Sequence, residues 1–176
     1  MVLRNWRYRA GQFWSALFTR PRTAELDTVR QLLTPRQFAL FERMQPSEQA
    51  HAIGVMRNIL ARPERAHPDL LVAALLHDVG KARYPLRLWE RVIIVLGRAV
   101  LPRRAQAWGR RQPRGWVRPF VVAARHPAWG AEMAAEAGVS PLARSLIRRH
   151  QDRVDRASNS LEDRLLAILQ AADDEN

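Results

Sequence analysis

The stretch that decides the fold is LLVAALLHDVGK, residues 70–81. Its seven leading residues are all apolar, and a helix that is apolar on every side belongs at the centre of a helical protein. His77 and Asp78 come directly after them. Burying a histidine and a carboxylate without partners costs several kcal/mol, so their position needs a reason. The stretch therefore predicts a central helix with a functional pair at its C-terminal end.

The segments on either side of this stretch also carry helical signals. Gly138 has the place of a C-terminal stop in HPAWGAEMAAEAGV, residues 126–139. No segment alternates apolar and polar residues over the length of a strand, and there is no glycine-rich phosphate loop or internal repeat. The fold class predicted is all-α, a single helical bundle. Capping residues and prolines mark the helix starts, at Thr34–Pro35, Pro46–Ser47, Ser140–Pro141 and Ser160.

Length and composition predict one main domain. The chain has 176 residues, 47% of them hydrophobic, which is enough for one substantial core. Residues 1–24 are predicted to form a basic amphipathic N-terminal helix or extension, which either docks on the domain or lies in a membrane interface. Residues 25–176 form the main domain, with a basic insertion containing tryptophans at about 85–120.

Charge and cysteine content limit the chemistry. There is no cysteine, so a metal site must use His, Asp, Glu and water. Of the 29 basic residues, 28 are arginine, and Lys81 is the exception. The net charge of +12 suits a phosphate-rich substrate, nucleic acid or an anionic membrane surface. No signal-peptide pattern or membrane-spanning run is present, so we expect a cytoplasmic protein, with peripheral membrane contact as an open alternative.

The five histidines suggest a metal site when they are taken together. A single histidine on an apolar helix face is usually a core residue, but His51 and His77 both occur where a neutral residue would be simpler. With Asp78 and a second aspartate from another helix, they form a mixed nitrogen and oxygen shell that suits iron, manganese, cobalt or zinc. A cation would also remove the cost of burying two carboxylates side by side.

This pattern resembles the HD superfamily of metal-dependent phosphohydrolases. The superfamily signature of a histidine, a His-Asp doublet and a distant aspartate corresponds to His51, His77-Asp78 and Asp173. The segments RHPAWGAEMA and LIRRHQD resemble the two further histidine segments of members with a second metal. The resemblance covers about residues 47–175 and implies a helical bundle with the metal site in its core. The aspartate of the superfamily signature follows small residues, as Asp173 does in QAAD, and Asp173 stands four residues after Leu169 on the apolar side of the helix. Asp173 is therefore preferred to Asp174.

The resemblance also implies roles for the site residues. Asp78 and Lys81 would be catalytic, with Asp78 bridging two metals and Lys81 neutralising charge on the phosphoryl oxygens. Lys81, Arg149 and Arg153 would contact substrate phosphates; for the arginines, a solvated basic face is the open alternative. One or two divalent transition-metal ions are implied, iron or manganese first, with cobalt, nickel or zinc also compatible. The implied ligands are His51, His77, Asp78, His126, His150 and Asp173.

Differences between this chain and particular members of the superfamily narrow the range of possible substrates. Members that cleave cyclic di-GMP carry a second histidine where this chain has Gln151, and a later Gly-Tyr-Pro turn that DRVDRASN lacks. The arrangement is more similar to compact bacterial HD hydrolases of the diadenosine tetraphosphatase type, which implies a small nucleotide-like phosphorylated substrate. The alternative is a non-catalytic sensor or scaffold that binds nucleotide, nucleic acid or a membrane surface.

Overall fold

The computed structural model of the chain describes residues 20–62, 66–154 and 160–176. Within these ranges the protein is built from helices, with no strand, so the predicted all-α fold is confirmed. Of the N-terminal segment predicted at 1–24, residues 1–19 lie outside the described residues, and the first described helix begins at Thr23. The α-helices are α1 Thr23–Leu32, α2 Pro35–Phe41, α3 Pro46–Leu60, α4 Pro68–Leu76, α5 Leu88–Val100, α6 Pro102–Gly109, α7 Arg118–Glu136, α8 Pro141–Arg149 and α9 Leu161–Asp174. Two 3₁₀ helices occur at Val79–Arg83 and Gly115–Val117.

The predicted helix starts agree with the capping contacts in the structure. The Thr34 hydroxyl accepts a hydrogen bond from the Gln37 amide at the start of α2, and the Ser160 hydroxyl accepts one from the Asp163 amide at the start of α9. At the start of α8, Ser140 accepts from the Ala143 amide. Ser140 also donates to Asp69 in the first turn of α4, at 2.6 Å, so one cap joins two helices.

Helix α4 lies at the centre of the main core. Leu70, Leu75 and Leu76 are fully buried, and α4 packs against α3, α8 and α9. His67, which precedes α4, caps it through Nδ1 and lies apart from the other four histidines. The helix ends at Leu76, so His77 and Asp78 leave it inside the core.

A close backbone contact fixes the path of the chain after the His77-Asp78 doublet. The 3₁₀ helix Val79–Arg83 packs on α7, and a Cβ atom at Gly80 would lie 2.0 Å from the carbonyl oxygen of His126 and 2.6 Å from the amide nitrogen of Gly130. Any side chain at Gly80 would push these backbones apart. The glycine therefore allows Asp78 to approach His126.

The region predicted as an insertion contains α5, α6 and the second 3₁₀ helix. Helix α5 directs Glu90 and Ile94 inward, where Glu90 pairs with Arg118. Most of its large apolar side chains point outward. No helix among the described residues is long and apolar enough to cross a membrane.

Candidate metal centre

Six side chains from separate parts of the chain meet in the core. They form two groups, and in each group one potential ligand atom from every residue lies within 4.8 Å of those of the other two. The first group is His51, His77 and Asp173, and the second is Asp78, His126 and His150. The ligand positions predicted from the sequence are thus brought together, one group beside the other.

The first group joins α3, the end of α4 and α9. His51 Nε2 lies 2.8 Å from Asp173 Oδ1, and His77 Nε2 lies 3.8 Å from the same oxygen. Asp174, the neighbouring carboxylate, is exposed. Asp173 is therefore the aspartate that faces the histidines.

The second group is more deeply buried. Asp78 Oδ1 lies 3.2 Å from His126 Nε2 and 3.9 Å from His150 Nε2, and the two histidine nitrogens are 3.2 Å apart. His126 comes from the middle of α7 and His150 from the residue after α8.

Asp78 connects the two groups. Its Oδ2 atom lies 3.6 Å from His77 Nε2 in the first group, while Oδ1 faces His126 and His150 in the second. One carboxylate therefore has an oxygen beside each group, and its Oδ2 atom also accepts a hydrogen bond from Lys81 Nζ.

Three histidines are held in one tautomer by their own helices. In each, Nδ1 bonds to a backbone carbonyl three or four residues earlier: His77 to Ala74 O at 2.9 Å, His126 to Val122 O at 3.1 Å, and His150 to Ile147 O at 2.8 Å. Because a carbonyl only accepts, Nδ1 carries the proton. The lone pair is left on Nε2, directed into the centre, as in most metal-binding histidines.

Burial keeps the two histidines of the second group, His126 and His150, uncharged. It lowers the pKa of His126 and of His150 to about 4, so both imidazoles are free of their second proton at neutral pH. Burial alone would raise the pKa of Asp78, but Lys81, together with His77 and His126, holds it well below its usual value. The group thus combines an ionised carboxylate with two neutral imidazoles.

His51 differs from the other three. Burial disfavours its charge, but the hydrogen bond to Asp173 and the nearby carboxylates outweigh this and raise its pKa. Its Nδ1 lies 2.9 Å from Asn176 Nδ2, and the same amide donates to the His51 carbonyl at 3.0 Å. Of the four histidines at the centre, His51 therefore holds its proton most strongly, and a cation that binds it would have to displace that proton.

The residues present fit a divalent transition metal. His77 Nε2 is buried and has no hydrogen-bond partner among the described residues, which is costly for a polar atom. A cation between His77, His51 and Asp173 would satisfy it. Imidazole and carboxylate donors suit iron, manganese, cobalt, nickel or zinc. A cation held by these six side chains would also explain why Asp78 is buried and why His126 and His150 are neutral.

The predicted phosphate-contacting residues lie in different surroundings. Lys81 Nζ is 2.5 Å from Asp78 Oδ2, directly at the centre. Arg149 pairs with Glu162 and with Asp163, the latter at 2.6 Å, so this side chain is engaged on α9. Arg153 is exposed beyond α8. A substrate contact by either arginine stays a prediction.

A pocket of about 210 Å³ opens beside the centre and contains residues that sequence reasoning missed. Glu48, Arg91 and Arg98 line it together with Lys81 and His126. Glu48 is buried and pairs with Arg91 at 2.9 Å, and burial raises its pKa. The available signal for Glu48 was its spacing: it stands three residues before His51, on the same side of α3.

Arg98 has a further role on α7. Pro127 lies inside that helix and has no amide hydrogen, so the Ala123 carbonyl four residues earlier lacks its helical partner. Arg98 Nη2 donates to that carbonyl at 3.1 Å. The contact anchors α5 one turn from His126.

Comparison with protein families matches residues 48–174 to the HD domain. The matched segment contains both groups, the pocket and helices α5 and α6. Neither a curated protein nor a solved structure gives a significant match to the chain.

Proposed function

The chain belongs to the HD domain family, whose members are generally metal-dependent hydrolases, and we propose that it is a phosphohydrolase acting on a nucleotide-like substrate. The bond cleaved would be a phosphoester or a phosphoanhydride. The observation that carries this proposal is the pair of ligand groups joined by Asp78.

The proposed cofactor is one or two divalent ions, with iron or manganese first. The first ion would be held by His51, His77 and Asp173, the second by His126 and His150, with Asp78 shared. When bound, such an ion lowers the pKa of water, so that a nucleophile is available at neutral pH.

The residues around the centre supply the remaining functions. Lys81 is held by Asp78 at the mouth of the pocket, where its charge can balance that of a phosphoryl group. Arg98 lines the same pocket and adds a second cation. Apolar Leu86, Ile94 and Val95 complete the lining and suit a base or another uncharged part of the substrate.

A non-catalytic sensor is the second candidate. Glu48 and Arg91 pair with each other within the pocket, so neither is left free to act on a substrate by itself. A domain that binds metal and a nucleotide without turnover would use the same ligands and the same pocket. The two candidates differ in turnover, not in metal content.

The first experiment measures metal per chain by elemental analysis on protein purified without oxygen and reconstituted with iron or manganese. The matched pair is Asp173→Asn and Asp174→Asn, two adjacent carboxylates of which only the first faces the histidines. We expect Asp173→Asn, like Asp78→Ala, to lose bound metal, and Asp174→Asn to retain it.

The second experiment measures hydrolysis by the loaded protein, with dinucleoside polyphosphates and nucleotides as substrates. Phosphate release that Asp78→Ala abolishes would support the phosphohydrolase. Metal binding without release from any of these substrates would favour the sensor, and absence of metal in the intact chain would contradict both.

A further inference from the structure

Helix α5 exposes several large apolar side chains on one side. Trp89 is 51% exposed, Leu96 54% and Val100 72%, and Ile93 lies between them on the same side of the helix. Residues 89, 93, 96 and 100 have the three- and four-residue spacing of one helical face. Leu88 and Leu101, at the two ends of the helix, are exposed as well. We call the side that carries residues 89, 93, 96 and 100 the α5 face.

The opposite side of α5 faces the protein and is largely polar. Glu90 pairs there with Arg118, Arg91 with Glu48, and Arg98 with the Ala123 carbonyl. Gly97 packs closely on α7, because a Cβ atom there would lie 2.5 Å from the Phe120 ring. The helix is therefore held by these polar contacts, by the tight approach at Gly97 and by Ile94, which is buried in a small apolar cluster with Val122 and Ala123. The side that carries Trp89, Ile93, Leu96 and Val100 is turned to solvent.

The surface around the α5 face is strongly basic. Residues 79–131 contain twelve Arg and Lys and a single acid, Glu90. Lys81, Arg83 and Arg91 pair with acids outside this stretch and Arg118 pairs with Glu90, so eight positive charges remain once these four pairs are set aside. Glu90 is buried in its pair with Arg118, so it does not offset the exposed charge. Arg87 directly precedes α5, Arg103 and Arg104 come shortly after it, and all three are exposed. Trp116, 62% exposed, lies in the same region.

We propose that the α5 face docks the protein on the surface of an anionic phospholipid membrane. An amphipathic helix whose apolar side carries tryptophan and branched aliphatic residues, with arginines at its ends, matches the two components of such a surface. The aliphatic side chains enter the boundary of the acyl chains, and the arginines meet the anionic headgroups. The inference concerns a surface and is independent of catalysis at the metal centre.

Charge and side-chain chemistry favour this occupant over others. Two copies joined through the α5 face would bring two basic regions together. Residues 1–19 carry three arginines and no acid, so either of these occupants would meet like charge. Nucleic acid offers phosphates, but it has no apolar layer in which Ile93, Leu96 and Val100 would be buried. A membrane satisfies both requirements.

The first test is vesicle co-sedimentation of the full chain. We expect binding to phosphatidylcholine vesicles with about 30% phosphatidylglycerol, weak binding to phosphatidylcholine alone, and a decrease with salt. The double substitution Trp89→Ala and Leu96→Ala should weaken binding at least about tenfold, since each removes apolar area from the membrane boundary. The matched control is Leu161→Ala, an exposed leucine outside α5, at 46%.

The second test locates the contact. The chain has no cysteine, so Leu96→Cys or Leu161→Cys gives a single site for an environment-sensitive fluorophore. With anionic vesicles, the label at 96 should shift to the blue and be quenched by nitroxide-bearing lipids, and the label at 161 should not respond.

Three results would overturn the proposal. The first is no binding to the anionic vesicles. The second is binding that the double substitution leaves unchanged, with a silent label at 96, which would move the contact elsewhere on the chain. The third is a label at 96 that is already shielded before lipid is added, which would show that a second copy or another part of the chain covers the α5 face. Metal content, measured in parallel, should be the same in all variants.

Discussion

Helices α4 and α5 are both rich in leucine, alanine and valine, yet the protein uses them in opposite ways. All the leucines of α4 are buried, and the polar pair at its end is buried with them. Helix α5 buries Glu90 and leaves Leu96 and Val100 in solvent. Apolar composition therefore does not decide which helix forms the core, because the partners available to each face decide it.

The two helices also differ in what a substitution should cost. Around α4, the cost is loss of folding or of the metal centre, because side chains and backbones touch on every side. On α5, the cost should appear in binding to another surface. The difference can be tested by measuring stability as a function of pH and by comparing matched substitutions in the two helices.

The largest effect expected is a loss of stability of the metal-free protein as pH falls. His126 and His150 have a pKa of about 4 when folded and about 6.5 when unfolded, so between these values the unfolded chain binds more protons. The contribution of these two histidines is complete above pH 6.5 and should fall by on the order of 5 kcal/mol by pH 4, since each pKa unit corresponds to about 1.4 kcal/mol.

Urea unfolding of metal-free protein at a series of pH values measures this loss. His150→Gln should reduce the slope of stability against pH, whereas Leu161→Ala, an exposed apolar residue outside the centre, should leave it unchanged. An equal slope in both variants would place the titration outside the centre. Because the arginines around the α5 face stay charged, vesicle binding should not follow the same pH curve.

The next effect compares one leucine from each helix. Leu75 is 0% exposed and Leu96 is 54% exposed. Leu75→Ala should lower the free energy of unfolding by about 2–5 kcal/mol, because it leaves a cavity in the core. Leu96→Ala should change it by less than about 0.5 kcal/mol. Urea unfolding measures both, and similar losses would mean that the α5 face is covered in the folded protein.

The smallest effect compares two glycines. A Cβ atom at Gly80 would meet the backbone of His126 and Gly130, whereas one at Gly54 would meet the side chain of Asn176, which can move. Gly80→Ala should destabilise the protein by about 1–3 kcal/mol, as in overpacked cores, and reduce metal content.

Gly54→Ala should be close to neutral in stability, because alanine favours the helix by about 1 kcal/mol and the side chain gives way. Thermal unfolding of the two variants is the measurement. A loss at Gly54 as large as the loss at Gly80 would contradict the distinction between a backbone clash and a side-chain clash.

Much of the fold could be predicted from the sequence, because capping residues and periodicity act locally. Thr34, Ser140 and Ser160 mark helix starts through contacts with the next few residues. The choice of Asp173 over Asp174 also rested on local spacing, and the structure places Asp173 beside His51. Each of these signals is contained within one or two helical turns.

The contacts that sequence reasoning missed depend on partners distant in the chain. The arginines beside His150 resemble a free basic face, but Arg149 pairs with Glu162, thirteen residues later. Helix α5 lies in the region predicted as a basic insertion with tryptophans, and which of its sides faces the protein depends on Glu48, Ala123 and Arg118. The approach of Gly80 to His126 is a contact between backbones and has no signature in side-chain chemistry.

The hydrogen bonds from Nδ1 of His77, His126 and His150 have one more consequence. Each histidine is aimed by a carbonyl of its own helix, at a separation of three or four residues. The orientation of each imidazole ring is therefore set within a single helical segment and does not depend on its neighbours. A protein designer who transfers these three helical segments to another bundle, keeping their relative placement, would carry over the orientation of the ligands without rebuilding a surrounding network.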